Sequence, residues 1–240
     1  MRSTASGSAG RSASKRCRSS LRAATAIAPY GGHRFGALAF DLAELRPVRF
    51  LWRPYLIRGF NLLAGEEYIG KSALECWIAA QVTRGKLPGD FEGRPAKVIF
   101  VGSDEDDFRT VVGPRLYALG ADLSLVREFG PLVDGVIFNI GDHIAELDRA
   151  LREEEFALVV FEQLLDVLPP MRNSTDPREV RYVTRPLRHV LKQRETAGLG
   201  TLHVNKARST ELRQRMQNSV QFNALARSTI LVDATEDEEN

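Results

Sequence analysis

Short runs of consecutive apolar residues alternate along the chain with longer stretches in which apolar positions recur every three to four residues. Phe60-Asn-Leu-Leu-Ala64, Val98-Ile-Phe-Val-Gly102, Val136-Ile-Phe-Asn-Ile140, Phe156-Ala-Leu-Val-Val-Phe161, Thr201-Leu-His-Val-Asn205 and Thr229-Ile-Leu-Val-Asp233 read as strands. Between them, Leu74, Trp77, Ile78 and Val82 fall at helical spacing over 71–84, with Gly85 placed to end that helix. Phe108, Val112, Leu116 and Leu119 mark a second helix over 106–119, with a kink or break at Pro114. Asp142 reads as the cap of a third, bearing Ile144, Leu147 and Leu151. Asp176-Pro177 opens a fourth with Val180, Val183, Leu187, Val190 and Leu191 on one side, and Pro186 predicts a kink in it. Strands that are apolar on both faces and alternate with helices predict an α/β fold with a mostly parallel central sheet and helices on both faces. Residues 38–57 mix Leu38, Phe40, Leu42, Leu45, Val48, Phe50, Leu51 and Tyr55 with polar residues and prolines, and read as a segment packed beside that core.

Charge divides the chain further. Its 240 residues carry a net charge of only +2, but no acid occurs before Asp41, while Arg2, Arg11, Lys15, Arg16, Arg18, Arg22 and Arg34 are all basic. The expected organisation is a disordered basic segment over 1–37, one domain over 38–233 and an acidic tail over 234–240. The basic segment also fits an arm that touches nucleic-acid phosphates, an Arg- and Ser-rich targeting peptide, or the product of a start codon assigned too far upstream. Cys17 and Cys76 are the only cysteines, without the spacing of a zinc site or a disulfide framework, which fits a reducing cytoplasm. No run of about 18 apolar residues is present, so no membrane partner is expected.

The densest chemistry lies directly after the first strand. Gly65-Glu-Glu-Tyr-Ile-Gly-Lys-Ser72 fits the phosphate-loop pattern G-x-x-x-x-G-K-[ST], placed between a strand and an amphipathic helix as that pattern requires. Glycines let main-chain N–H groups turn toward a polyphosphate. Lys71 supplies a compact charge for the β- and γ-phosphates, Ser72 offers a hydroxyl to Mg²⁺, and the helix points its positive end at the anion. The expected nucleotide-binding set is Gly65, Glu66, Glu67, Tyr68, Ile69, Gly70, Lys71, Ser72 and Ala73, with ATP and Mg²⁺ as ligands. Glu66 and Glu67 sit awkwardly in such a loop, because a carboxylate turned inward repels phosphate.

Two acidic strand ends follow. Val98–Gly102 runs into Ser103-Asp-Glu-Asp-Asp107, where a carboxylate on a strand expected to neighbour the phosphate loop would polarise water. A solvated helix start explains the same residues. Leu158-Val-Val-Phe-Glu162 has the apolar-strand-then-acid layout that holds Mg²⁺, with Glu in place of the usual Asp and Asp166 as a substitute four residues on.

In this order, the loop, the Val98–Asp106 stretch, Arg115-Leu-Tyr-Ala-Leu-Gly120, Leu158–Glu162, Thr201-Leu-His-Val-Asn-Lys206 and Asn218-Ser-Val-Gln-Phe-Asn-Ala-Leu-Ala-Arg227 resemble the RepA-like branch of RecA-fold P-loop ATPases. That branch includes hexameric plasmid helicases and related phage replication proteins, and the likeness spans about 58–233. It implies a homo-oligomer, hexameric in those helicases, that acts on single-stranded DNA. It implies Glu105 as the water-activating acid, Ser72 and Glu162 as magnesium ligands and His203 as the γ-phosphate sensor. Lys206, Arg208 or Arg227 would be a cationic finger reaching a neighbouring subunit's site. Plainer roles also exist: His203 as a core histidine, Lys206 and Arg208 as solvated loop charges, Arg227 as a helix-end charge. Asn218 in place of a frequent Gly, the bulky loop, Glu162 and the early end of the chain depart from the family pattern.

Three functions follow. One is an oligomeric DNA-dependent ATPase of replication or mobile-element maintenance, with the basic stretch Lys206, Arg208, Arg213 and Arg215 tracking the nucleic-acid backbone. A second is a nucleotide-binding module with weak or no hydrolysis, acting through partners. A third is a small-molecule kinase, for which no compact Arg-rich lid is evident between Pro169 and Arg185.

Overall fold

The computed structural model describes residues 41–102, 108–132, 136, 138–171, 176–203 and 220–233. Glu105, Lys206, Arg208, Arg213, Arg215 and Asn218 lie outside the described residues. The chain divides into two units, residues 1–46 and 47–240. In the described part of the first, the Asp41 side chain accepts from the Ala43 N–H and caps a single 3-10 turn, Leu42–Glu44.

The second unit holds β1 (Phe50–Trp52), β2 (Leu56–Ile57), β3 (Gly59–Gly65), α1 (Lys71–Thr83), β4 (Lys97–Val101), a π turn Phe108–Val112 running into α2 (Gly113–Ala118), β5 (Val126–Phe129), α3 (Ile140–Glu153), β6 (Phe156–Phe161), α4 (Pro177–Gln193), β7 (Ala197–His203), α5 (Val220–Asn223) and β8 (Ser228–Val232). β1 and β2 form a small antiparallel ribbon. The other six strands make one sheet in the order β5-β4-β6-β7-β3-β8, parallel at every pair.

Side-chain alternation divides each central strand between two cores. Leu62, Ile99, Val101, Val159 and Phe161 pack on one face with Leu147 and Leu151 of α3 and with Val180, Leu187 and Leu191 of α4. Leu63, Val98, Phe100, Leu158 and Val160 pack on the other with Ile78 and Val82 of α1 and Leu116 of α2. The expected parallel sheet covered on both faces is therefore what forms.

Several local expectations change. β4 does not neighbour the phosphate-loop strand, because β7 and β6 stand between β4 and β3. Residues 136, 138 and 139 are not strand, and Ile140 opens α3 instead. The cap of α3 is Asn139, not Asp142. Asn139 Oδ1 accepts from the Asp142 N–H at 3.0 Å, and Asn139 Nδ2 donates to Asp142 Oδ2 at 2.7 Å, a reciprocal arrangement like a capping box. Asp176 caps α4 as expected, accepting from the Arg178 N–H. Pro186 lies inside α4, which continues past it to Gln193. Among the described residues, no helix is long and apolar enough to cross a membrane.

Asn61 fixes the sheet beneath the site. It is fully buried on β3. Its amide donates to the carbonyls of Ile57, Gly59 and Gly198, while its oxygen accepts from the Ile57 N–H. One side chain thus ties the ribbon to β3 and β7. Replacing it with Leu leaves these backbone groups short of partners in an apolar layer. Asn61→Leu is expected to cost about 3 kcal/mol, the scale of losing several buried hydrogen bonds at once. Urea unfolding measures it, and a change below about 1 kcal/mol contradicts the role.

Candidate functional site

Parallel strands in an open sheet bring their carboxyl ends to one edge, where ligands of such folds bind. Here Gly65 of β3 pairs with His203 of β7, and Val101 of β4 pairs with Phe161 of β6. The phosphate loop, the segment carrying Glu162 and the His203 end of β7 therefore emerge side by side. They border a cleft of about 600 Å³. The loop contributes Glu67, Tyr68 and Gly70, and the start of α1 contributes Lys71, Ser72 and Ala73. Arg115 comes from α2, Glu162 and Gln163 follow β6, and Thr201 and His203 come from β7.

The loop owes its shape to two glycines for different reasons. Gly70 has φ +92°, and an added Cβ there would meet nothing within 4 Å, so only its left-handed backbone demands glycine. At Gly65 the demand is steric, since a Cβ would lie 2.8 Å from the Val232 carbonyl oxygen and 3.0 Å from Ile69 Cγ2. Tyr68 also has positive φ, 62°, and its side chain is 99% exposed. Gly65, Glu66 and Ile69, all expected to bind nucleotide, are not among the residues that line the cleft.

Lys71 is the focus of the site. It opens α1 and is only 5% exposed. Its ammonium donates to the carbonyl oxygens of Gly65 at 3.1 Å and Glu66 at 2.5 Å, and lies 3.2 Å from His203 Nδ1. An ammonium has only donors, so Nδ1 accepts and the His203 proton sits on Nε2. Burial lowers the Lys71 pKa from the ordinary lysine value, and the carboxylates of Glu75 and Glu67 act in the opposite sense. The result is a desolvated cation aimed at the loop, the group a phosphate needs.

Below it, Glu75 is 1% exposed, and Thr201 Oγ1 donates to Glu75 Oε1. Ser72 and Glu162 border the same cleft. A hydroxyl and a carboxylate are hard oxygen donors suited to Mg²⁺. Asp166, the substitute for Glu162, is not among the cleft's lining residues.

Residues 34–209 match a family model described as an AAA domain. The chain belongs to the AAA domain family. The structure of this AAA domain is similar to a solved ATPase domain of another protein, with a TM-score of 0.54 and 12% sequence identity over 76% of this chain and 72% of that one. The shared fold is RecA-like: a parallel sheet with the phosphate loop at the carboxyl end of an inner strand. No match appears among curated protein sequences.

Arg227 is not at this cleft. It precedes β8 and its N–H bonds the Phe60 carbonyl, beside Gly59 at the start of β3. At about 3.3 Å per residue, it stands roughly 20 Å along the strand from Gly65. Sequence reading missed Arg115 and Gln163 as cleft residues, and Glu75 and Thr201 beneath the loop. Arg115 and Thr201 carried a signal, each as the first residue of one of the family-like stretches.

Glu67 has a measurable consequence. It is exposed yet borders the cleft and acts on Lys71. Glu67→Gln is expected to tighten Mg-ATP binding by about two- to fivefold, the size of an exposed charge interaction, with less effect in high salt. Calorimetry at two ionic strengths checks this, and unchanged affinity at low salt contradicts it.

Proposed function

We propose that this AAA domain is a RecA-type ATPase that binds Mg-ATP at the loop 65–73 and works as a homo-oligomer on single-stranded DNA, in replication or mobile-element maintenance. The observation that carries this reading is the convergence of the buried Lys71 ammonium, Ser72, Glu162 and His203 on one cleft at the carboxyl edge of the sheet.

In this reading, Lys71 exchanges the Gly65 and Glu66 carbonyls for β- and γ-phosphate oxygens, assisted by the N–H groups that begin α1. Ser72 and Glu162 would hold Mg²⁺, which when bound offsets charge on the phosphates. Glu105 activates the attacking water, and His203, already against Lys71, senses the γ-phosphate. Lys206, Arg208 or Arg227 acts in a neighbour's site, where a cationic finger stabilises transition-state charge. If Arg227 is the finger, its place beside Phe60 and Gly59, away from its own cleft, calls for action in trans.

A second reading, a nucleotide-binding module with little or no hydrolysis, is favoured by Glu67 at the cleft and by Glu rather than Asp at 162. The two separate in one experiment: phosphate release measured with and without single-stranded DNA, run beside a sizing column. DNA-stimulated release from an oligomer supports the motor. ATP binding with no release, with or without DNA, selects the module.

A further inference from the structure

Two polar contacts join the phosphate-loop helix to the strand beside it, and the second has no part in the chemistry above. Lys71 and Glu75 are four residues apart on α1 and share one side of it. Thr201 and His203 are two apart on β7 and share one face. The pairs meet as two rungs: Lys71 Nζ with His203 Nδ1 at 3.2 Å, and Thr201 Oγ1 with Glu75 Oε1 below.

The lower rung is costly to build. Glu75 is 1% exposed, and its neighbours on α1, Cys76, Ile78, Ala79 and Ala80, are all buried and apolar. A carboxylate among them requires hydrogen-bonded partners, and an apolar side chain would serve packing better. The Thr201 hydroxyl supplies one such partner. Glu75 also favours the charged form of Lys71 one turn above. Thr201 borders the cleft two residues before His203, so whatever fixes Thr201 fixes the strand end that carries the histidine.

We propose that Glu75 and Thr201 are positioning residues. Their hydrogen bond is a strut that sets the spacing between α1 and the end of β7, so that Lys71 and His203 address the same terminal phosphate. This rests on reading the cleft as a nucleoside triphosphate site. A phosphate bound there draws Lys71 from His203, and the upper rung opens. The lower rung, whose two side chains are buried, keeps the histidine in place. Losing the strut should weaken recognition of the γ-phosphate and leave recognition of the first two phosphates intact.

The test measures affinities for Mg-ADP and for a non-hydrolysable Mg-ATP analogue in the full chain, for wild type, Thr201→Val, Glu75→Ala and the double variant. Each single change is expected to lower the triphosphate preference about tenfold, with diphosphate affinity within about twofold of wild type. The double variant should lose no more than either single, because both remove one bond. Thr201→Ser, which keeps the hydroxyl, should restore the preference. If the truncations do not fold, Glu75→Gln is decisive: it keeps an oxygen acceptor and must hold the preference within about twofold, whereas a tenfold fall would assign the effect to charge. An unchanged preference, equal weakening of both nucleotides, or additive losses overturn the strut while wild type still binds. Wild type that binds neither nucleotide overturns the reading of the cleft, and the strut with it.

Discussion

Lys71→Ala is expected to reduce Mg-ATP affinity by about 100-fold or more while leaving the fold intact. The ammonium is buried, held at the mouth of the loop by two carbonyls, and is the one lysine of the cleft among the described residues. Charge-assisted hydrogen bonds to phosphate are worth about 1.5–3 kcal/mol each, and about 1.4 kcal/mol is tenfold in affinity. Losing two such bonds accounts for the expected drop. The sheet does not depend on the side chain, since β3 is held by β7 and β8 along its length. Calorimetry reads the affinity, and circular dichroism reads the fold. A folded variant that binds Mg-ATP as tightly as wild type contradicts the assignment of Lys71.

Gly85→Ala is expected to give a large loss of stability from a small change, about 3 kcal/mol. Gly85 follows the last turn of α1 with φ +63°, a backbone that costs an L-residue roughly 1 kcal/mol. Its carbonyl accepts from the Gly93 N–H at 2.8 Å, which brings the following turn close. An added Cβ would fall 2.6 Å from Arg94 N and 2.7 Å from Arg94 C, backbone atoms that cannot rotate away. Overpacking of that kind adds about 1–3 kcal/mol. Gly93 is the internal control: its φ is +74°, but a Cβ there meets nothing within 4 Å. Gly93→Ala should therefore show only the conformational cost of about 1 kcal/mol. Equal losses at the two positions in urea unfolding would remove the steric part of the explanation.

The same distinction between conformation and close approach decides which parts of the fold were legible in sequence. β3, β4 and β6 were readable because strands buried on both faces are written as apolar runs, and β8, a half-buried edge strand, because Ile230-Leu-Val232 is itself an apolar run. The first half of β7 was not, since Gly198 and Gly200 break its apolar pattern. They are small because of their neighbours: a Cβ on Gly198 would lie 2.4 Å from Leu191 Cδ1, and one on Gly200 would lie 3.1 Å from Leu164 Cδ1. β5 escaped because Arg127 and Glu128 interrupt a four-residue edge strand. The run 136–140 misled because it is apolar, although Asn139 and Ile140 belong to a helix start.

The site was legible to the extent that it is local. Lys71 and Ser72 follow from spacing within one loop, and Glu162 from the end of one apolar strand. The contact between Glu75 and Thr201 was invisible because it depends on β7 lying next to β3, a fact of topology 126 residues away in sequence. The same topology removed β4 from beside the loop and set Arg227 at the far end of β3.

The most direct measurement is a calorimetric titration of the full chain with Mg-ATP and, separately, with adenosine, which has the base and sugar but no phosphate. A main-chain cradle with one buried lysine predicts saturable binding of Mg-ATP at one site per chain and no measurable binding of adenosine over the same range. Absence of saturable Mg-ATP binding, or adenosine bound as tightly as ATP, would contradict it.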